Sequence, residues 1–311
     1  MNNVNQYVVP PVLFVVFNRM ETVKQTLAAI RKAAPGKLFI AADGPRDSHP
    51  GEEKMCQAVR SYILDNIDWK CEVKTRFQEK NLGCKKAVSS AVDWFFSEVE
   101  EGIILEDDCL PCQDFFRYAA AALDFYRDNQ KVMHINGNIL KNYTPDENNC
   151  AYFYRYAHVW GWASWRRAWK LYDVELKDFT PQKMYEIFPD DRRQAARWNE
   201  ILSNVIAAKQ GFNTWDFQWT YTVMVNNAWC ISPIRNLISN IGAEQSTHDM
   251  DNVADLLGSK TFDMPEILNF PSERENKPLE IESEVYRKFY RKRHLFFRIF
   301  AKISKIFSGI L

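Results

Sequence analysis

Three acids follow one another at Glu106-Asp107-Asp108, directly after the apolar run Gly102–Leu105. Three carboxylates in a row repel one another unless a cation or hydrogen-bond donors offset the charge. Oxygen donors of this kind suit Mg2+ or Mn2+; the alternative is a polar turn capping the helix that follows Pro111. Another acid, Asp43, ends a second apolar run, Lys37–Ala42. Asn81-Leu82-Gly83-Cys84-Lys85-Lys86 places a glycine before a helix start with lysines behind it, a pattern that can receive a diphosphate. His248 either ligates a metal or bonds phosphate, or is a loop histidine satisfied by its neighbours. His134, on an apolar segment, reads as structural. Asp216 reads on its own as an acid stabilised at a helix N-terminus. The chain contains no Walker A sequence, no G-x-G-x-x-G and no serine nucleophile elbow, so three common routes to phosphate or acyl chemistry are absent.

The elements that would position these residues alternate. Val12–Phe17, Lys37–Ala42, Cys71–Phe77 and Gly102–Leu105 read as strands, three of them continuous apolar runs of the kind buried on both faces. Between them Thr22–Ala33, Glu52–Ile67 and a stretch from Leu82-Gly83 to about Glu100 carry apolar residues at helical spacing. Strand–helix alternation of this kind indicates an α/β open sheet. In such sheets ligands bind at the carboxyl ends of the strands, where Asp43 and Glu106–Asp108 both fall. Farther on, Asp114–Arg127, Asp190–Lys209 and Trp215–Val225 read as helices and Val132–Ile135 as a strand. Ala151–Trp169 is dense in aromatics. Within it Trp165 and Trp169 stand at helical spacing and read as core, while Trp160 and Trp162 are the better candidates for a sugar-stacking pocket.

Composition narrows the class. The 311 residues carry 40 basic and 40 acidic side chains, so no basic excess points to nucleic acid. A 46% apolar fraction supplies ample core. No apolar run approaches the ~20 residues that cross a bilayer. The first residues lack the pattern of a signal peptide, and the seven cysteines show no disulfide framework, so a cytoplasmic location with reduced thiols is expected. Cys109 and Cys112 form one C-x-x-C with no second pair to complete a zinc site.

The motifs taken together resemble the GT-A glycosyltransferases, specifically N-acetylglucosaminyltransferase I and its bacterial relatives. The resemblance runs in order from Pro11 to His248. Pro11–Arg19 is similar to the family's first strand, which implies that Arg19 helps to bind a nucleotide. Asp43, in Ala42-Asp43-Gly44-Pro45, takes the place of an acid that holds a uracil ring. Glu106-Asp107-Asp108 resembles the family's EDD motif, implying Asp108 as the ligand of Mn2+ (or Mg2+), with Glu106 and Asp107 on ribose and donor sugar. Lys85 lies near a donor-binding position. Val159-Trp160-Gly161-Trp162 resembles a segment that shapes the donor pocket, which brings in Trp160 and Gly161. Trp215-Asp216 resembles a pair whose acid is the catalytic base, followed here by Phe217-Gln218-Trp219 in place of a second acid. Ser246-Thr247-His248 resembles a loop that closes over the diphosphate, implying a donor contact for Thr247 and a metal contact for His248.

The resemblance therefore implies an α/β fold of GT-A type and an inverting, metal-dependent transfer. The donor would be a UDP-sugar, with N-acetylglucosamine leading, and the acceptor a glycan or lipid-linked glycan in surface polysaccharide assembly. The competing readings are a sugar-1-phosphate nucleotidyltransferase, a non-catalytic carbohydrate-binding protein and a membrane scaffold. The first needs a Gly-rich loop after the first strand, where this chain has Asn18-Arg19-Met20-Glu21-Thr22. Residues 1–268 are expected to form the GT-A domain, with a donor half about 8–135 and an acceptor half about 136–268. Residues 269–284 read as a linker.

From 285 to 311 the chain has no acidic residue. Phe296, Ile299, Ile303, Ile306 and Ile310 make one helical stripe, and Arg291, Arg298, Lys302 and Lys305 lie largely on another. A basic amphipathic helix of this kind rests on an anionic membrane, each cation adding about 1 kcal/mol, unless it docks on its own domain. The membrane reading predicts that the full chain co-sediments with anionic vesicles and that a chain ending at Ser283 does not. Equal sedimentation of the two would remove it.

Overall fold

The computed structural model describes residues 7–139, 149–208, 213–242 and 260–273. The expected C-terminal helix at 285–311, Thr247 and His248 lie outside the described residues.

The first half alternates strand and helix as the sequence implies. β1 (Val12–Val16), α1 (Met20–Ala33), β2 (Lys37–Ala42), α2 (Glu52–Asp65), β3 (Glu72–Phe77), α3 (Gly83–Glu98) and β4 (Glu101–Glu106) follow one another. A short strand β5 (Cys109–Pro111) leads into α4 (Gln113–Phe125) and β6 (Val132–Asn136). Then come β7 (Ala151–Tyr154), β8 (Trp162–Trp165), α5 (Arg166–Trp169), α6 (Pro181–Ile187), α7 (Arg192–Ile206), α8 (Asp216–Val225), β9 (Trp229–Pro233) and β10 (Ile238–Asn240).

Eight strands form one sheet in the order β3-β2-β1-β4-β8-β6-β9-β7. It is mostly parallel: β3, β2, β1, β4, β6 and β9 run one way, while β8 and the edge strand β7 run the other. The architecture is thus the expected α/β sheet flanked by helices. β1 and β2 are buried on both faces, which explains their continuous apolar sequences. Their alternate residues still divide between two cores. Leu13, Val15, Phe39 and Ala41 pack toward α3, α7 and α8, and Val12, Phe14, Val16, Leu38 and Ile40 toward α1, α2 and α4. β5 and β10 pair as a separate antiparallel ribbon beside the carboxyl end of β4.

Two readings of the aromatic stretch are corrected. Trp165 ends β8 and Trp169 ends α5, so their spacing spans a strand and a short helix; both are nonetheless core residues. Trp162 is fully buried and does not line a pocket. Its indole stacks on His134 (centroids 5.1 Å apart) and on Trp215 (5.7 Å), with Trp219 at 6.0 Å. β8 is antiparallel between two parallel strands, and with both faces covered its WASW sequence shows no polar alternation.

The first part of the expected linker is docked. Asn269 accepts from the Cys150 amide at 2.9 Å, Phe270 packs on Tyr118, Phe125 and Tyr126, and the Tyr126 hydroxyl donates to the Pro271 carbonyl. Residues 274–284 lie outside the described residues. All seven cysteines are free, and no described helix is long and apolar enough to cross a membrane.

His134 is structural, as expected. Its Nδ1 accepts from Trp219 Nε1 at 2.9 Å, so Nε2 carries the proton and donates to the His158 carbonyl at 3.0 Å. Burial pulls its pKa down to about 3, against an ordinary value near 6.5. Above pH ~6.5 the ring is neutral whether the chain is folded or not. Below that the unfolded chain takes up a proton that the folded chain refuses, so stability is lost as pH falls toward 3. Burial likewise draws His158 down to about 4. Each ring is expected to cost up to about tenfold in the folding equilibrium per pH unit below pH ~6.5, a loss that raised carboxyls elsewhere in the fold offset in wild type and that is therefore read as a difference between variants. In urea unfolding His134→Gln should gain stability relative to wild type as pH falls from 7 to 5; a constant difference would mean that the folded ring takes up its proton as readily as the unfolded one.

Candidate active site

The candidate residues come together at the carboxyl ends of the parallel strands. β1 and β4 are direct neighbours, with Val15 opposite Glu106. The chain segments that leave these two strands therefore run side by side. Arg19, just before α1, reaches across to the acids after β4. Its Nη2 pairs with Asp107 Oδ1, its Nε lies 3.4 Å from Asp107 Oδ2, and its Nη1 is 3.0 Å from Asp108 Oδ2. Asp107 is 2% exposed, and its backbone carbonyl accepts from Thr26 in α1 at 3.0 Å. Asp108 is more open, and its carbonyl accepts from the Ile241 amide at 2.8 Å.

The electrostatics follow from this crowding. Burial raises the Glu106 carboxyl to about 8, with further repulsion from Asp108 and Asp107 and a smaller contribution from Asp216. Asp107 is raised to about 6 because burial outweighs the attraction of Arg19. Burial opposes the charge on Arg19, but Asp107 and Asp108 more than compensate and raise its pKa. Asp216 begins α8, and its carboxylate accepts from the Thr214 hydroxyl. Its charge acts on both Glu106 and Cys84, so it belongs to the same cluster. Four carboxyl groups thus crowd one site, and Arg19 pairs with two of them, Asp107 and Asp108.

That excess of negative charge on hard oxygen donors fits a divalent cation. Among the described residues no three ligating side chains converge into a cage. The arrangement suits a cation held by one or two carboxylates and completed by phosphate oxygens, which is usual for Mg2+-type sites. By contrast the groove of about 1050 Å3 between Tyr7–Pro11, α4 and Met264–Leu268 lies at the opposite end of the strands. Three of its four acids are paired: Asp114 with Arg117, and Glu101 and Asp124 with Arg127.

Other expected contacts fall differently. The Leu82 and Gly83 amides point at the Asp43 carboxylate, and Lys85 pairs with Glu175 at 3.2 Å. These groups of the 81–86 stretch are therefore engaged and do not form an open diphosphate cradle. The Trp215 ring is 2% exposed and stacked in the core, where it supports α8 and offers no face to a ligand. Trp160 is half-buried, and the Gly161 carbonyl accepts from the Gly137 amide at 2.9 Å beside β10.

Three participants escaped the sequence reading. Cys84, in the first turn of α3, is exposed yet surrounded by acids. Desolvation by the cleft walls, then Glu106, Asp216, Asp43 and Asp108, push its thiol up to about 12. Gly242 lies against Asp108, where an added Cβ would stand 2.6 Å from Oδ2 and 2.8 Å from Arg19 Nη1. Glu52, in the first turn of α2, is 4% exposed and accepts from Asn18 and Arg46, tying the end of β1 to the loop after β2. An acid ahead of an apolar helical stripe was the available signal for Glu52; nothing local marks the other two.

No family profile matches the chain, and no curated protein sequence matches it. Among solved structures it is similar to a mannosyltransferase from Pyrobaculum calidifontis in complex with GDP-Man and Mn2+, at 13% identity and TM-score 0.35, covering 72% of each chain. It is also similar to an apo UDP-glucose pyrophosphorylase, at 10% identity and TM-score 0.36, over 74% of this chain and 93% of that one. A 4-diphosphocytidyl-2C-methyl-D-erythritol synthase from Anaerococcus prevotii matches at 11% identity and TM-score 0.34, over 58% and 85%. Likenesses this slight do not bear on the activity.

The buried ion pair makes a direct prediction. Arg19→Ala leaves Asp107 buried and unpaired, and its carboxyl, already raised to about 6 beside the guanidinium, must take up a proton at pH 7. Breaking a fully buried pair costs roughly 3–5 kcal/mol; because Arg19 keeps partial solvent contact, a loss of about 2–3 kcal/mol is expected in urea unfolding at pH 7. An unchanged midpoint would mean that the pair contributes nothing.

Proposed function

We propose that the chain is an inverting, metal-dependent glycosyltransferase that moves a hexose from a nucleotide-sugar to a glycan or lipid-linked glycan acceptor. The observation that carries this reading is the convergence of Arg19, Glu106, Asp107, Asp108 and Asp216, drawn from three separate elements, at the carboxyl end of the sheet. The motif resemblance supports a UDP-sugar donor, with N-acetylglucosamine leading, and a role in surface polysaccharide assembly. The basic C-terminal stretch supports a peripheral place on the cytoplasmic face of a membrane.

In this reading Asp108 and His248 would hold Mn2+ or Mg2+, which would neutralise the charge of the departing diphosphate. Arg19 keeps Asp107 and Asp108 in place and adds positive charge to the donor's phosphate side. Glu106 faces the ribose and sugar, whereas Asp107, expected there too, is 2% exposed with both carboxylate oxygens on Arg19 and holds that arginine in place. Asp216 takes the proton of the acceptor hydroxyl. As that oxygen bonds to the anomeric carbon, the bond from this carbon to the diphosphate oxygen breaks and its electron pair leaves with the nucleotide. One base and no covalent intermediate give inversion, by analogy with the inverting hydrolases. A carbohydrate-binding protein would need neither Asp108 nor Asp216 beside so much unneutralised charge.

Calorimetry and hydrolysis with a panel of UDP-sugars, with and without Mn2+, test the reading. Wild type should bind one donor in a Mn2+-dependent way. Asp108→Ala should weaken binding by about tenfold or more, and Asp216→Asn should bind normally but turn over roughly 10²–10⁴-fold more slowly. Absence of binding by any nucleotide-sugar in wild type would sink the proposal.

A further inference from the structure

Asp43 leaves β2 at the same end of the sheet as the acid cluster. Its Oδ1 accepts from the Gly44 amide at 2.8 Å and the Leu82 amide at 2.8 Å. Its Oδ2 accepts from Asn81 Nδ2 at 2.9 Å and the Gly83 amide at 3.1 Å. An ionised carboxylate offers about four lone-pair sites, and all of them are engaged. None remains for the N3–H of a uracil ring.

The donors it satisfies are ones the fold would otherwise orphan. α3 starts at Gly83, and its capping residue, Leu82, has no side chain able to accept a hydrogen bond. The first amides of a helix lack partners within it. Asp43 supplies them from another element, and its charge suits the positive end of the helix. Two further ties hold the same junction. Asn81 Nδ2 donates to the Gly44 carbonyl at 2.8 Å, and Arg60 Nη2 donates to the carbonyls of Asp43 at 2.9 Å and Gln78 at 2.7 Å. The two backbones are so close that a Cβ on Gly44 would stand 2.4 Å from the Lys80 carbonyl carbon. Asp43-Gly44 and residues 78–83 are one fixed unit.

This unit reaches the reacting groups. The first turn of α3 carries Cys84, which lies among Glu106, Asp108 and Asp216, and Lys85, which pairs with Glu175. The segment holding Glu175 is bonded to the start of α8: Tyr172 donates to the Trp215 carbonyl at 3.1 Å, and Gln218 donates to the Val174 carbonyl at 3.4 Å. Asp216 is the first residue of α8.

We propose that Asp43 is a positioning residue that fixes α3, the wall of the cleft that carries Cys84 and Lys85, and that it does not select the base of the nucleotide. The inference rests on the nucleotide-sugar reading above only where it concerns the base. It follows that nucleoside diphosphates with and without an imide N–H meet Asp43 alike, and that any choice between them is made by other groups.

The test uses the full chain, Asp43→Asn and Gly44→Ala, with UDP and its N3-methylated form as probes in the presence of Mn2+. Wild type should bind the two probes within about threefold, since no acceptor is lost on methylation. Both variants should weaken both probes equally, by about tenfold or more. In both, UDP-sugar turnover should fall in kcat as well as rise in KM, because the α3 wall facing Asp216 and Glu106 is displaced. Amide exchange should speed at Leu82–Lys85, and alkylation of Cys84 should change in rate, while α1 and α4 stay protected. A roughly 10–100-fold penalty for methylation in wild type, abolished in Asp43→Asn, would show that Asp43 reads the base and overturn the proposal. Unaltered exchange at α3 in Asp43→Asn would overturn it as well. If wild type binds neither probe, the nucleotide-sugar reading fails, and exchange at α3 still decides the positioning role.

Discussion

Asp107 is a nearly buried acid flanked by two others, and Arg19 is the cation that makes this tolerable. The pair exists because of strand order. β1 lies beside β4 in the sheet although three helices and two strands separate them in the chain. Their registered ends deliver Arg19 and the acids to the same place. From β3 the order runs down through β2 to β1 and then jumps to β4, so it reverses between β1 and β4. Open α/β sheets form a crevice at such a switch. The charge imbalance that remains after Arg19 has paired is what the chemistry draws on.

Much of the donor side was legible because its physics is local. Strands covered on both faces must be apolar throughout, and β1, β2 and β4 announce themselves in that way. Acids at their ends stand out against such runs. The second half was harder to read. Tyr152, Tyr154, Trp162 and Trp165 belong to strands, but an aromatic side chain fits a core, a stacking face or a helix stripe equally well. By sequence Trp162 fits a pocket as well as a core; its neighbours His134, Trp215 and Trp219 hold it in the interior. Asp43 was visible as an acid; the four donors that fill its oxygens come mostly from residues 81–83 and could not be read from its own surroundings. Gly242 was illegible because its significance is the space it leaves for Asp108, 134 residues earlier in the chain.

Asp216 stands on the most deeply set helix of the fold. Gln218 to Met224 are all buried, and the residue before it, Trp215, is locked into the aromatic stack. A side chain mounted in this way is held by the core itself, which is the precision a proton-abstracting group needs. The opposite wall, α3, is held by hydrogen bonds to Asp43 and by an exposed ion pair. The two sides of the cleft are therefore fixed by different forces: apolar burial on one, directional polar contacts on the other. Changes in ionic strength and pH act on the second more than on the first.

The docking of Phe270 and Pro271 gives the molecule a polarity. They sit against Tyr126 at the end of α4, next to Arg127, which pairs with Glu101 at the start of β4. The last described residues thus lie at the pole opposite the acids. β4, with Glu101 at one pole and Glu106 at the other, spans the whole distance between them. Six residues of one buried strand thus separate the surface that Phe270 and Pro271 close from the one where the acids gather.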